Sequence, residues 1–98
     1  MKLYANFTDT EIKRCHTPKG GTLLFVKNNK LLNIENFKIV ESSSDDNGVY
    51  IYGSTKTTIN NLTIRNTWFK NDGIEIRGSP VIFNNLQILD NIVDEDIS

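Results

Sequence analysis

The chain is short and close to electrically neutral, and both properties exclude classes of protein. Its 98 residues allow one small domain, and a formal net charge of −1 provides no basic field for nucleic acid. No apolar run is long enough to span a bilayer, and the first residues lack the apolar segment of a secretory signal. Cys15 is the only cysteine, which rules out an internal disulfide and leaves the redox compartment open.

The amino-acid composition favours β-structure. Thirteen asparagines and twelve isoleucines stand against one alanine and two prolines. Isoleucine favours strands, asparagine favours turns, and a helical bundle is difficult to build with one alanine. The composition therefore predicts an all-β protein whose short strands are separated by asparagine-containing turns.

Residues 1–22 are predicted to form an irregular N-terminal segment that contains a partial coil around Ile12 and serves as a cap. Residues 1–7 match no later part of the sequence, and "HTPKGG" indicates a loop. Cys15 and His16 are adjacent, so in a strand they would point to opposite faces, which disfavours a Cys–His nucleophile pair.

A repeat of about 25 residues occupies residues 23–98. The stretch GVYIYG at 48–53 returns as GIEIRG at 73–78, and LLFVKN at 23–28 lies one repeat earlier. Asn36, Asn61 and Asn85 recur at spacings of 25 and 24 residues, each followed by an apolar residue. Because no helical segment separates these short strands, the repeat predicts a parallel β-solenoid with one coil per repeat.

Each coil is predicted to contain three short strands, which in the best-defined coil are residues 57–59, 62–65 and 73–77. The loop TWFKND precedes the third strand, and its Trp68 and Phe69 either fold over the coil below or form an exposed patch. Alternation of apolar and polar residues predicts the inward side chains of three successive coils. They are Ile34, Phe37, Ile39, Val49 and Ile51, then Ile59, Leu62, Ile64, Ile74 and Ile76, then Phe83, Leu86 and Ile88.

The aligned asparagines are predicted to form a ladder at one corner of the solenoid. Asparagine tolerates the left-handed backbone conformation of a tight corner. Identical side chains stacked about 4.8 Å apart can hydrogen-bond along the column. The alternative interpretation is that Asn36, Asn61 and Asn85 lie in three unrelated surface turns.

The N-[apolar]-x-[apolar] and G-[apolar]-x-[apolar]-x-G units resemble those of the right-handed parallel β-helix (pectin-lyase-like) superfamily. That superfamily holds pectate lyases, polygalacturonases and phage tailspikes. The resemblance covers about residues 23–98 and implies a right-handed parallel β-helix of three to four coils. Both units are architectural, so they specify a fold and not a chemistry.

The stretch NDGIEIRGSPVIFNNLQILDNIVDED is similar to a polygalacturonase segment that carries catalytic carboxylates. The similarity implies Asp72 as one acid, and Asp94, Glu95 or Asp96 as the second. Enzymes of that kind use paired carboxylates to protonate a glycosidic oxygen and to activate water. The residue that usually separates Asn71 from Asp72 is missing, and the His and Arg/Lys motifs of later coils are not in this sequence. Asp72, Asp94 and Asp96 are therefore catalytic candidates only.

The outward side of the third strand of each coil is the predicted ligand-binding face. Stacking of the repeats aligns aromatic and charged side chains there in two columns, in which Lys27 also lies. The predicted ligand-binding residues are Phe25, Tyr50, Tyr52, Glu75 and Arg77. Aromatic faces with polar neighbours suit a polysaccharide, whereas contact with a protein partner is the alternative.

No cofactor is predicted, with one hypothesis left open. Asp45, Asp46 and Asp72 supply the hard oxygen ligands that Ca²⁺ prefers, but SSSDDNG is equally typical of a solvated turn. Glu75 and Arg77 lie two residues apart on one strand, and an exposed ion pair is the simpler interpretation of them.

These features predict a β-solenoid module of a tailspike-like or polysaccharide-processing protein, acting as a scaffold with a glycan-binding face. The alternatives are a stand-alone interaction or inhibitor protein and a fragment of a polygalacturonase- or pectate-lyase-like enzyme. Four coils, about 19 Å tall, would expose a strand edge, so we expect a homo-oligomer or a larger chain. A tailspike-like protein would lie on a virion or outside the cell, and the alternatives would be cytoplasmic. No nucleic-acid or membrane partner is expected.

Overall fold

The structure is a computed structural model, and it describes residues 4–93. These residues form ten strands and no helix, and none of them belongs to a helix that could cross a membrane. The strands are β1 (Tyr4–Lys13), β2 (Leu24–Lys27), β3 (Leu31–Val40), β4 (Ser43–Ser44), β5 (Val49–Tyr52), β6 (Lys56–Arg65), β7 (Trp68–Phe69), β8 (Ile74–Arg77), β9 (Val81–Leu89) and β10 (Ile92–Val93).

The strands stack into three parallel sheets, with one strand of each sheet contributed by each coil. The sheet orders are β1-β3-β6-β9, β2-β5-β8 and β4-β7-β10, and every pairing joins strands about one repeat apart. Ile34 pairs with Ile59 and Phe37 pairs with Leu62, both 25 residues apart. The predicted parallel β-solenoid is therefore confirmed, with about three turns in the described residues.

The predicted asparagine ladder is confirmed at the bend of the long strands. Asn36, Asn61 and Asn85 have φ values of 52°, 58° and 59°, so each turns its strand through a left-handed residue. Asn61 Nδ2 donates to Asn36 Oδ1, and Asn85 Nδ2 donates to Asn61 Oδ1, both at 2.9 Å. Asn36 Nδ2 donates in turn to Asp9 Oδ1 at 3.1 Å. The strands predicted on either side of the corner are therefore halves of one bent strand.

The core lies between the sheets and consists of the predicted inward side chains. The inward residues predicted for the lower two coils are buried, except that Ile74 and Ile76 are half-buried. Phe69 is also fully buried and Trp68 is half-buried, so the TWFKND loop contributes one core residue. Phe83, Leu86 and Ile88 continue the core columns by register but are 38–49% exposed, since no described coil covers them.

The first coil is more regular than the repeat predicts. Strand β1 begins at Tyr4 within the segment expected to be irregular, and it pairs with β3 at an offset of 27 residues (Tyr4 with Leu31). The offset from β2 to β5 is 25 residues (Leu24 with Val49), so the two additional residues lie in the loop between β1 and β2. A comparison at a spacing of 25 therefore fails for residues 4–7 although they belong to a coil.

Candidate functional site

The outward face of the β2-β5-β8 sheet presents the two columns that the repeat predicts. Phe25, Tyr50 and Glu75 lie in register in one column. Lys27, Tyr52 and Arg77 form the other column. The alternate residues of the same strands point into the core, where Val26 and Ile51 are buried. Alternation along each strand therefore fixes the direction of every side chain on this face.

Three aromatic rings form a continuous surface, here called the aromatic platform (Phe25, Tyr50 and Tyr52). The Phe25 and Tyr50 rings are nearly parallel at 5°, with centroids 5.0 Å apart. The Tyr50 and Tyr52 rings lie 6.4 Å apart at 17°. Phe25 is 57% exposed and Tyr52 is 43% exposed, and with Lys27 the platform lines a depression of about 210 Å³. The platform therefore offers accessible apolar surface within a concave site.

A fixed ion pair borders the aromatic platform. Arg77 Nε donates a hydrogen bond to Glu75 Oε2, and this bond raises the pKa of the Arg77 guanidinium. The Arg77 side chain is 65% exposed, whereas that of Glu75 is 22% exposed. Since the contact found in the described residues uses Nε, the terminal nitrogens of Arg77 face solvent and can donate to a ligand.

Asn47 holds Glu75 in place and was not identified from the sequence. Its side chain is 1% exposed; Nδ2 donates to Glu75 Oε1 at 2.8 Å, and Oδ1 accepts the Asp72 backbone N–H at 3.0 Å. The only signal in the sequence was its place before Gly48, one repeat before Asp72. Both carboxylate oxygens of Glu75 thus have a donor, so the carboxylate is positioned before any ligand binds.

The catalytic candidates are not brought together by the described structure. Asp72 is exposed, and Asp94 and Asp96 lie outside the described residues. The Asp72 contact described above involves its backbone N–H and not its carboxylate. Catalysis by these residues therefore stays a prediction.

The aspartates considered for Ca²⁺ instead tie neighbouring loops together. The Asp45 carboxylate accepts the backbone N–H of Gly20. Asp46 accepts the side-chain amide of Asn71 and the Thr22 hydroxyl. Within residues 4–93, no three acidic, histidine or cysteine side chains are grouped closely enough to hold a metal ion. The observed contacts of Asp45 and Asp46 are those of a structural turn.

A comparison with protein families agrees with the coil geometry. Residues 3–96 match the family described as "Right handed beta helix region", and the chain belongs to this family. No curated protein and no solved structure matched the chain. Family membership, together with the stacked sheets, defines the chain as a β-solenoid scaffold, and the solenoid is right-handed.

Proposed function

We propose that the chain is a β-solenoid module that binds a polysaccharide on the outward face of its β2-β5-β8 sheet, as in a tailspike-like or polysaccharide-processing protein. The observation that carries this proposal is the aromatic platform beside the Glu75–Arg77 pair. Small-ligand sites typically combine apolar surface with a few placed polar groups, and this face has both.

The aromatic platform suits the apolar surface of sugar rings. The exposed parts of Phe25 and Tyr52 are available to pack against C–H groups, and both tyrosines carry a hydroxyl that can exchange hydrogen bonds with sugar hydroxyls. Arg77 supplies further donors at the edge of the platform. Lys27 adds a second cation in the Arg77 column, so glycans that carry carboxylates are included among the expected ligands.

The site is also held in place before binding, which lowers the entropy cost of forming a complex. The rings of Phe25 and Tyr50 stack on each other across two coils, and Asn47 and Arg77 fix the Glu75 carboxylate. The strands beneath are paired on the register of the whole sheet. A rigid face of this kind supports binding along the solenoid with little rearrangement.

The test is retention of the chain on a panel of immobilised neutral and acidic polysaccharides. We expect Tyr50→Ala and Tyr52→Ala each to weaken retention at least about tenfold, since each removes stacking surface worth on the order of 1 kcal/mol or more. Tyr4→Ala is the matched control, because Tyr4 is 60% exposed on β1 and lies outside the platform. Equal retention of the two platform variants and of the native chain would contradict the proposal, as would no retention on any polysaccharide.

A further inference from the structure

The last coil exposes a surface that is buried in every coil below it. Phe83, Leu86 and Ile88 are 38%, 39% and 49% exposed. Their partners one coil below, Ile59, Leu62 and Ile64, are fully buried. We call this surface the β9 end, defined by Phe83, Leu86 and Ile88. It is apolar, it continues the core columns, and no described residue pairs with the outer edge of β9.

The asparagine ladder has a direction, and one carboxylate sets it. An ionised carboxylate only accepts hydrogen bonds, so Asn36 must turn its Nδ2 toward Asp9 and leave its Oδ1 facing the next coil. Asn61 then donates to Asn36, and Asn85 donates to Asn61. The Oδ1 of Asn85 is consequently left facing the β9 end as an acceptor.

A second, shorter column repeats this arrangement beside the ladder. Asn84 Nδ2 donates to Asn60 Oδ1 at 2.7 Å, which turns the Oδ1 of Asn84 toward the β9 end as well. Two neighbouring amide oxygens thus face outward from the same strand. The geometry of the coils below therefore specifies donors at two adjacent positions of whatever strand lies on β9.

The two ends of the solenoid differ in charge. Strand β1 and the residue after it carry charged side chains along the opposite edge: Asp9, Glu11, Lys13 and Arg14. Strand β9 carries no charged residue over its nine positions. Because charged side chains on an edge strand oppose further strand pairing, the β1 edge is protected and the β9 edge is not.

We propose that the β9 end binds a partner that adds a parallel β-strand to the edge of β9. That strand places apolar side chains over Phe83, Leu86 and Ile88 and side-chain amide donors over Asn84 and Asn85. The occupant is not a second copy of this chain stacked head to tail. In continued register, Asp9 of the second copy would lie over Asn85 and oppose one acceptor with another.

A peptide with the sequence KTTINNLTIR serves as the probe, since residues 56–65 make this same contact on β3 within the solenoid. Binding of the labelled peptide to the native chain is measured by fluorescence anisotropy. The matched control is the same peptide with Asn61→Asp, which removes the amide donor above Asn85. We expect the asparagine peptide to bind at least about tenfold more tightly, because the aspartate leaves two acceptors facing each other.

A pair of protein variants locates the contact. Leu86→Asp is expected to abolish peptide binding, whereas Tyr4→Asp on the opposite end is expected to leave it unchanged, with circular dichroism confirming that both variants are folded. Sedimentation of the native chain alone tests the competing occupant. Equal affinity for the two peptides, no binding of either one at millimolar concentration, or self-association of the native chain blocked by Leu86→Asp would each overturn the proposal.

Discussion

Thr57 places a hydroxyl where its column is otherwise apolar. The side chain is fully buried, it lies in register between Leu32 and Val81, and its Oγ1 has no hydrogen-bond partner among the described residues. A buried hydroxyl without a partner costs about 1–3 kcal/mol. Thr57 is therefore a residue at which the native core is not at its most stable.

We expect Thr57→Val to raise the free energy of unfolding by about 1 kcal/mol, because valine keeps the shape and removes the unpaired hydroxyl. Urea denaturation measures the change. Thr67→Val is the control: Thr67 is 2% exposed, but its Oγ1 donates to the Arg65 carbonyl at 3.0 Å and accepts the Ser42 N–H at 3.4 Å. That variant should lower the free energy of unfolding by about 1 kcal/mol. Changes of the same sign in both variants would refute the explanation.

Individual residues were predictable where the repeat spacing is regular. Asn36, Asn61 and Asn85 recur at 25 and 24 residues, so the sequence alone predicts their ladder. Asp9 was not identified as its first member because it differs in residue type and lies 27 residues before Asn36. Asn47 is a local contact of Glu75, and a contact of this kind leaves no periodic signal.

Among the structural elements, the two-residue strand β7 was the hardest to interpret. Alternation needs several residues to be recognised, and Trp68–Phe69 has two. The structure turns Phe69 inward, where its ring packs beside Gly48 and Gly73. These glycines occupy equivalent positions in two coils, and the shared glycine is explained by the volume of the ring between them.

The two glycines are nevertheless expected to respond differently to alanine. A Cβ on Gly48 would overlap the Phe69 ring and come within 2.7 Å of the Gly73 carbonyl oxygen, whereas a Cβ on Gly73 would lie 3.6 Å from the ring. Gly48→Ala should therefore cost about 2–3 kcal/mol in the free energy of unfolding, as overpacked cores do. Gly73→Ala should cost less than about 1 kcal/mol, since 3.6 Å is an ordinary contact. Thermal denaturation compares the pair, and equal losses would show that packing against Phe69 is not the cause.

At the scale of the whole molecule, the repeat predicted the stacking of coils but not how burial is distributed along the stack. Apolar residues at equivalent positions look alike in sequence, yet burial also requires a coil on each side. Leu62 lies between two coils and is fully exposed to neither end, whereas Leu86 in the same column is 39% exposed. The sequence pattern contains the column, and only the stack determines which members contribute to stability.

This gradient leads to a matched pair of truncations in one column. Leu62→Ala removes a fully buried side chain and should lower the free energy of unfolding by about 3 kcal/mol. Leu86→Ala removes a side chain that already contacts solvent, so we expect a loss of about 1 kcal/mol. Urea denaturation at several protein concentrations measures both values. Equal losses would mean that the β9 end is covered in solution, and a loss for Leu86→Ala that grows with protein concentration would identify a second copy as the cover. A small, concentration-independent loss is the result expected of an end that stays open until its partner strand binds.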